Sequence, residues 1–168
     1  MGSHKNLADQ EGIDKLRELV KSQAMCMFAT NLTSFPISAR PMSTQEVDDE
    51  GNLWFFSQAS SEKNAELETD NRVQLFFANT SSSEYLSVAG EATILKDKEK
   101  AREMWTRWVK TWFTEGVDDP ELTIIKVVPE DVYYWDTKNN RMISLLKIMT
   151  GAVIGKTMDD GVEGKISV

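Results

Sequence analysis

The chain has 168 residues and a formal charge of −8, from 19 basic and 27 acidic side chains. That length suits one domain with one core, and the acidic balance, with no long Lys/Arg block, argues against partners that are nucleic acids or anionic membranes. No apolar run approaches the roughly 20 residues of a bilayer span. With one cysteine, Cys26, and one histidine, His4, the chain can form neither an internal disulfide nor a structural Cys/His zinc site, so a cytoplasmic protein without a metal is expected.

Residues 1–8 have no signal-peptide core and are expected to be a disordered extension before a domain over 9–138. Ile13, Leu16, Leu19 and Val20 recur at helical spacing and predict a helix over 9–22. Strands follow at Met25 to Leu32 and Ile37 to Thr44, paired as a hairpin, and after the turn cluster Asp48 to Asn52 a third runs from Leu53 to Ser57. Ser60 or Ser61 suits the N-cap of a helix ending near Thr69. Arg72 to Ala78 and Tyr85 to Leu95 read as two more strands, the second interrupted by Gly90, which suggests a bulge or sharp bend.

Ala101, Met104, Trp105, Trp108, Val109 and Trp112 predict an amphipathic helix over 97–113 with an aromatic face. Leu122 to Val128 and Asp131 to Trp135 supply two last strands around Pro129. Residues 139–168 are expected to hold a short helix around Met142 to Met149 and a glycine-punctuated tail on the same domain. This order predicts a mainly β (α+β) fold, a largely antiparallel barrel with helices outside it. Regular strand and helix alternation and glycine-rich phosphate loops are both missing.

Two segments carry possible chemistry. Strand alternation turns Ser38, Arg40, Met42 and Thr44 to one face and Ile37, Ala39, Pro41 and Ser43 to the other. Pro41 has no N–H, so its strand belongs at an edge, a bulge or a ligand. About twenty residues on, Ser60-Ser61-Glu62-Lys63 opens a helix, whose first turn leaves N–H donors unpaired. Arg40, Lys63 and these donors together could clamp one phosphate. The alternatives are an edge-strand arginine in a salt bridge and a solvated lysine. The tryptophans suit core or interface positions, with Trp112 and Phe113 best placed to stack on a flat ring. Cys26 suits an inert core thiol, and no Ser/His or Cys/His pair can be drawn.

Arg40-Pro41-Met42, Leu53-Trp54-Phe55-Phe56-Ser57, Ser61-Glu62-Lys63, Asn71 to Phe77, Gly90-Glu91-Ala92 and Val132-Tyr133-Tyr134-Trp135 together resemble the pyridoxamine 5′-phosphate oxidase-like flavoproteins, in their general stress protein 26 branch. The resemblance covers about residues 10–136. It implies a split β-barrel homodimer that binds FMN in clefts between subunits. Arg40, Lys63 and Ser61 would hold the phosphate. The strand through Pro41, Met42, Ser43, Thr44 and Gln45 would run along the ring and ribityl chain, with Phe56 and Ser57 beside the cofactor. Glu62 stands where the oxidase has a second basic residue, and the C-terminal arginine and histidine motif that holds pyridoxal is missing, so pyridoxamine-phosphate oxidation is not expected. Deazaflavin and haem occur elsewhere in the superfamily, but no histidine in the barrel could ligate haem. Two functions follow from the resemblance: a flavin-dependent oxidoreductase taking a small substrate or a nicotinamide donor, and a non-catalytic module that stores or senses flavin.

Overall fold

The computed structural model of the chain describes residues 10–136 and the strand 163–166. Helix α1 (Gln10–Ser22) leads into β1 (Met25–Thr30), β2 (Ser38–Ser43), β3 (Glu46–Val47) and β4 (Leu53–Gln58). Helix α2 (Glu62–Thr69), β5 (Arg72–Asn79), β6 (Glu84–Leu95), helix α3 (Lys98–Glu103), β7 (Leu122–Asp136) and β8 (Glu163–Ile166) complete the order. The strands form one antiparallel sheet in the order β2-β1-β5-β6-β7-β4-β3, with β8 added to β7, curled into the split barrel the sequence predicts. No helix among the described residues is long and apolar enough to cross a membrane. The expected N-terminal extension and the helix around Met142 to Met149 lie outside the described residues.

Two apolar clusters organise the domain. Leu16, Leu19 and Val20 of α1 pack with Phe28, Phe55, Leu75, Val88 and Val127 in the main core. Each such side chain, fully buried, contributes roughly 1.5–3 kcal/mol. Cys26 belongs to this core, and burial pushes its thiol pKa up to about 12. The second cluster joins Trp54 and Ile124 to Ala101, Met104, Val109 and Phe113, with Phe56 and Trp105 against it. Strand β4 therefore reads as a continuous apolar run because both its faces are covered: Leu53 and Phe55 look into the main core, Trp54 and Phe56 into the second.

Three expectations change. The helix over 97–113 stops at Glu103, and a 3-10 turn over Val109–Thr111 follows. The segment after Met104 is rich in aromatic and β-branched residues that form helices poorly. The break sends Val109 and Phe113 inward and leaves Trp108 80% and Trp112 71% exposed, so no single aromatic face exists. The two strands around Pro129 are one, with Glu130 as an extra residue: Gly90 pairs with Pro129 while Ala89 pairs with Asp131. At Gly90 a Cβ would collide with the Val128 carbonyl oxygen, which is why the bulge uses glycine. Lastly, the apolar Leu53 to Phe56 segment is expected from the sequence to present surface to a dimer partner, but Leu53, Trp54 and Phe55 are buried inside the protomer.

Exposed apolar surface lies elsewhere. Met25, Met27, Ile37 and Phe76 are each about half exposed, and Met27 pairs with both Pro41 and Phe76 across adjoining strands.

Candidate functional site

Helix α2 starts where the sequence places it. Ser61 is the N-cap, in extended geometry, and its hydroxyl accepts the Asn64 N–H at 3.3 Å. Just before it, the Ser60 N–H and hydroxyl donate to Glu121, at 3.0 and 2.6 Å, which ties the entry of the helix to the start of β7.

Lys63, in the first turn, is only 7% exposed. Its ammonium donates to the hydroxyls of Ser57 and of Ser61, the latter at 3.1 Å. Those hydroxyls are fixed in turn. Ser57 Oγ donates to Asn64 Oδ1 at 2.6 Å, Asn64 Nδ2 donates to Thr123 Oγ1 at 3.0 Å, and Thr123 Oγ1 donates back to the Ser57 carbonyl at 2.7 Å. This closed ring holds Ser57 rigidly beneath the lysine. Burial, with help from the nearby Arg40 charge and against the pull of Glu66, lowers the Lys63 pKa from 10.5 to about 8.

Arg40 reaches the same place from the other side. Strand β2 ends the sheet, which explains how it tolerates Pro41. From it the guanidinium crosses β1: Nη1 donates to Thr30 Oγ1 at 2.6 Å and to the Phe28 carbonyl at 3.4 Å, while Nη2 donates to Glu66 of α2 at 2.9 Å. Glu66 also accepts from Ser38, at 2.6 Å, and from Thr30. Burial works against its charge, but the hydrogen bonds from Ser38, Thr30 and Arg40 outweigh it and hold the carboxyl below its ordinary pKa. The salt-bridge alternative for Arg40 is thus realised, and it coexists with the cluster. Arg40 and Lys63 supply two positive charges and Glu66 one negative, leaving one cation in excess.

Among the other expected residues, Ser57 and Ser61 join the cluster. Pro41 and Ser43 stand exposed on the opposite face of β2, and Met42 packs on the main core. Thr44 is buried, and its Oγ1 has no hydrogen-bond partner among the described residues. Gln45 donates its backbone N–H to the Trp54 carbonyl at 2.8 Å and its amide to the Ser43 carbonyl at 2.9 Å. Phe56 turns away from Ser57, to ring contacts with Trp105 and Phe113 at centroid distances of 5.8 and 6.3 Å. Trp112 stands in solvent in the loop after α3, and Glu62 is exposed beside Lys63. Sequence reasoning missed Thr30, Glu66, Asn64 and Thr123. Glu66 alone left a signal, one helical turn after Lys63 and on the same face.

A cavity of about 630 Å³ lies beside α2, between Asn64, Glu68, Asn71, Ile94 and Lys96. A smaller one of about 230 Å³ lies beside α3, between Leu95, Ala101, Val117 and Pro120. Neither of these two cavities is lined by Arg40 or Lys63. No group of three or more His, Cys, Asp or Glu side chains among the described residues is placed to hold a metal ion.

The sequence model of the family described as pyridoxamine 5′-phosphate oxidase like matches residues 11–159. The chain belongs to that family. Two proteins are alike in sequence: protein bli-3 of Neurospora crassa, 24% identical over 86% of this chain and 74% of its own length, and general stress protein 26 of Bacillus subtilis, 34% identical over 36% of this chain and 43% of its own. Among solved structures, a protein from Jannaschia sp. CCS1 named for general stress protein 26 superposes with a TM-score of 0.71, at 18% identity, over 94% of this chain and 99% of that one. The general stress FMN/FAD binding protein of Xanthomonas citri gives 0.66 at 24% identity, over 76% and 90%. The two solved structures show that this oxidase-like chain shares their fold.

Proposed function

We propose that the protein is a flavoprotein that binds FMN between two copies of itself and passes electrons from a nicotinamide donor to a small-molecule acceptor in the cytoplasm. The observation that carries this reading is the excess cation at the start of α2. Lys63 is almost fully buried against two neutral hydroxyls, with a guanidinium nearby, an arrangement that a bound anion would relieve. The flavin named for the Xanthomonas citri relative supports FMN as that anion's bearer.

The residues fit the group. Lys63, Ser61 and Arg40 would hold the phosphate, together with free N–H groups of the first helical turn. The Thr44 hydroxyl, buried without a partner among the described residues, would have one in the ligand or its surroundings, and the exposed Trp112 would be available to the flavin ring. Bound FMN supplies the redox chemistry, and the chain supplies orientation and a cleft. The row of Met25, Met27, Ile37 and Phe76 on the outer sheet face supports pairing of two copies, since an exposed apolar row of this kind suits an interface.

Mixing the purified protein with FMN and desalting tests the cofactor: protein that stays yellow supports the reading, and protein that emerges colourless overturns it. Oxidation of NADH or NADPH by the yellow protein supports the enzyme. Retained FMN without turnover for any acceptor would assign the storage or sensing role instead. A monodisperse monomer in light scattering at micromolar concentration removes the shared cleft.

A further inference from the structure

An arginine on a terminal strand is ordinarily a mobile, solvated side chain, because its rotamer entropy favours freedom. Arg40 is held from three directions instead. Three of its five N–H donors are used by the Thr30 hydroxyl, the Phe28 carbonyl and Glu66, and the Nε–H and one Nη2–H have no protein partner among the described residues. Two unengaged donors on a fixed plane are what one phosphate can take. Of the three holders, Phe28 and Thr30 lie on β1, and only Glu66 lies on α2, the helix that carries Lys63. Glu66 is itself fixed by Ser38 at 2.6 Å and by Thr30. It follows Lys63 by three positions, so both side chains leave the same face of the helix.

We propose that Glu66 is a positioning residue that aims Arg40 at the phosphate of the ligand held by Lys63. This rests on the FMN reading given above. Glu66 acts through reach: its carboxylate is long enough to accept from Arg40, Thr30 and Ser38 together, and so sets the register between the guanidinium on β2 and the ammonium on α2. Aspartate in its place keeps the charge but is one methylene shorter and cannot meet all three donors. Glutamine keeps the reach and one acceptor oxygen but loses the charge.

The test compares the affinities of FMN and riboflavin, read by quenching of flavin fluorescence, for wild type, Arg40→Ala, Glu66→Asp, Glu66→Gln and Arg40→Ala/Glu66→Asp. The expected result is that Glu66→Asp lowers the preference for FMN over riboflavin roughly tenfold, the scale of one misaligned charge-assisted hydrogen bond, with riboflavin affinity unchanged. Glu66→Gln keeps that preference at or above wild type, and adding Glu66→Asp to Arg40→Ala changes nothing further. An unchanged preference in Glu66→Asp overturns the proposal, and so does equal loss for the two ligands, which would show Glu66 acting through the fold. If Arg40→Ala itself leaves the preference intact, the phosphate reading falls first.

Discussion

Ser61 Oγ accepts both the Asn64 N–H, at 3.3 Å, and the Lys63 ammonium, at 3.1 Å, so the atom that caps α2 also holds the charge at its start. A cation in a helix's first turn opposes the helix dipole, and burial adds to the strain on it. The lysine is tolerated here because two hydroxyls solvate it, and it is primed to accept an anion for the same reasons.

Stability should carry this signature. The folded-state pKa of Lys63 is lowered from 10.5 to about 8, so between those values the unfolded chain holds a proton that the folded chain has released. Stability therefore rises with pH across that window, and below about pH 8 the penalty, at most about 3 kcal/mol, is fully present. Denaturant unfolding of wild type and Lys63→Met at pH 7.5 and pH 10 should show wild type gaining relative to the variant at the higher pH. A difference that does not change with pH would mean that the ammonium is well hydrated.

Arg40→Ala should weaken FMN tenfold to a hundredfold and riboflavin little, since a charged hydrogen bond contributes roughly 1.5–3 kcal/mol and only FMN carries the phosphate. It also strips Glu66 of its cation, so a lower melting temperature is expected alongside. Equal loss of both ligands, measured by fluorescence titration, would assign Arg40 to the ring or to folding.

The limits of sequence reading show in this pair. Arg40, Ser61 and Lys63 were legible because strand alternation and capping are local rules, and the same rules located α1, α2, β1, β2 and β4 to within about two residues. Glu66 and Thr30 were not, because their roles depend on which helix lies across which strand. Asn64 and Thr123 are 59 positions apart and meet only through the closed sheet. The break after Met104 was hidden because its tryptophans keep helical spacing, while the second cluster takes in Trp105, Val109 and Phe113 and leaves Trp108 and Trp112 outside.

Glu62 is exposed beside the buried lysine, so its charge reaches an anion at the helix start mainly through solvent. Through solvent that repulsion is about 1 kcal/mol or less. Glu62→Arg should tighten FMN several-fold in low salt, with the gain shrinking as salt rises and riboflavin unaffected. Unchanged FMN affinity at low ionic strength would move the phosphate away from this turn.

Gly90→Ala should destabilise the fold without touching the cluster. The new methyl would collide with backbone at Val128, which can yield only if the bulge opens. A loss of roughly 1–3 kcal/mol in unfolding free energy, with the FMN-over-riboflavin ratio intact, is expected. A variant as stable as wild type would show that β6 and β7 can separate here freely.

Cys26 lies on β1, the strand that also supplies Phe28 and Thr30 to Arg40, between β2 and β5. A thiol with a pKa near 12 inside the core is closed to alkylating reagents until its strand opens. The rate at which it is labelled is therefore a clock for opening of the strand that holds Arg40. A ligand that bridges Arg40 and Lys63 binds the closed form alone and slows that clock in proportion to its occupancy, so a single native sulfur reports binding without any attached dye.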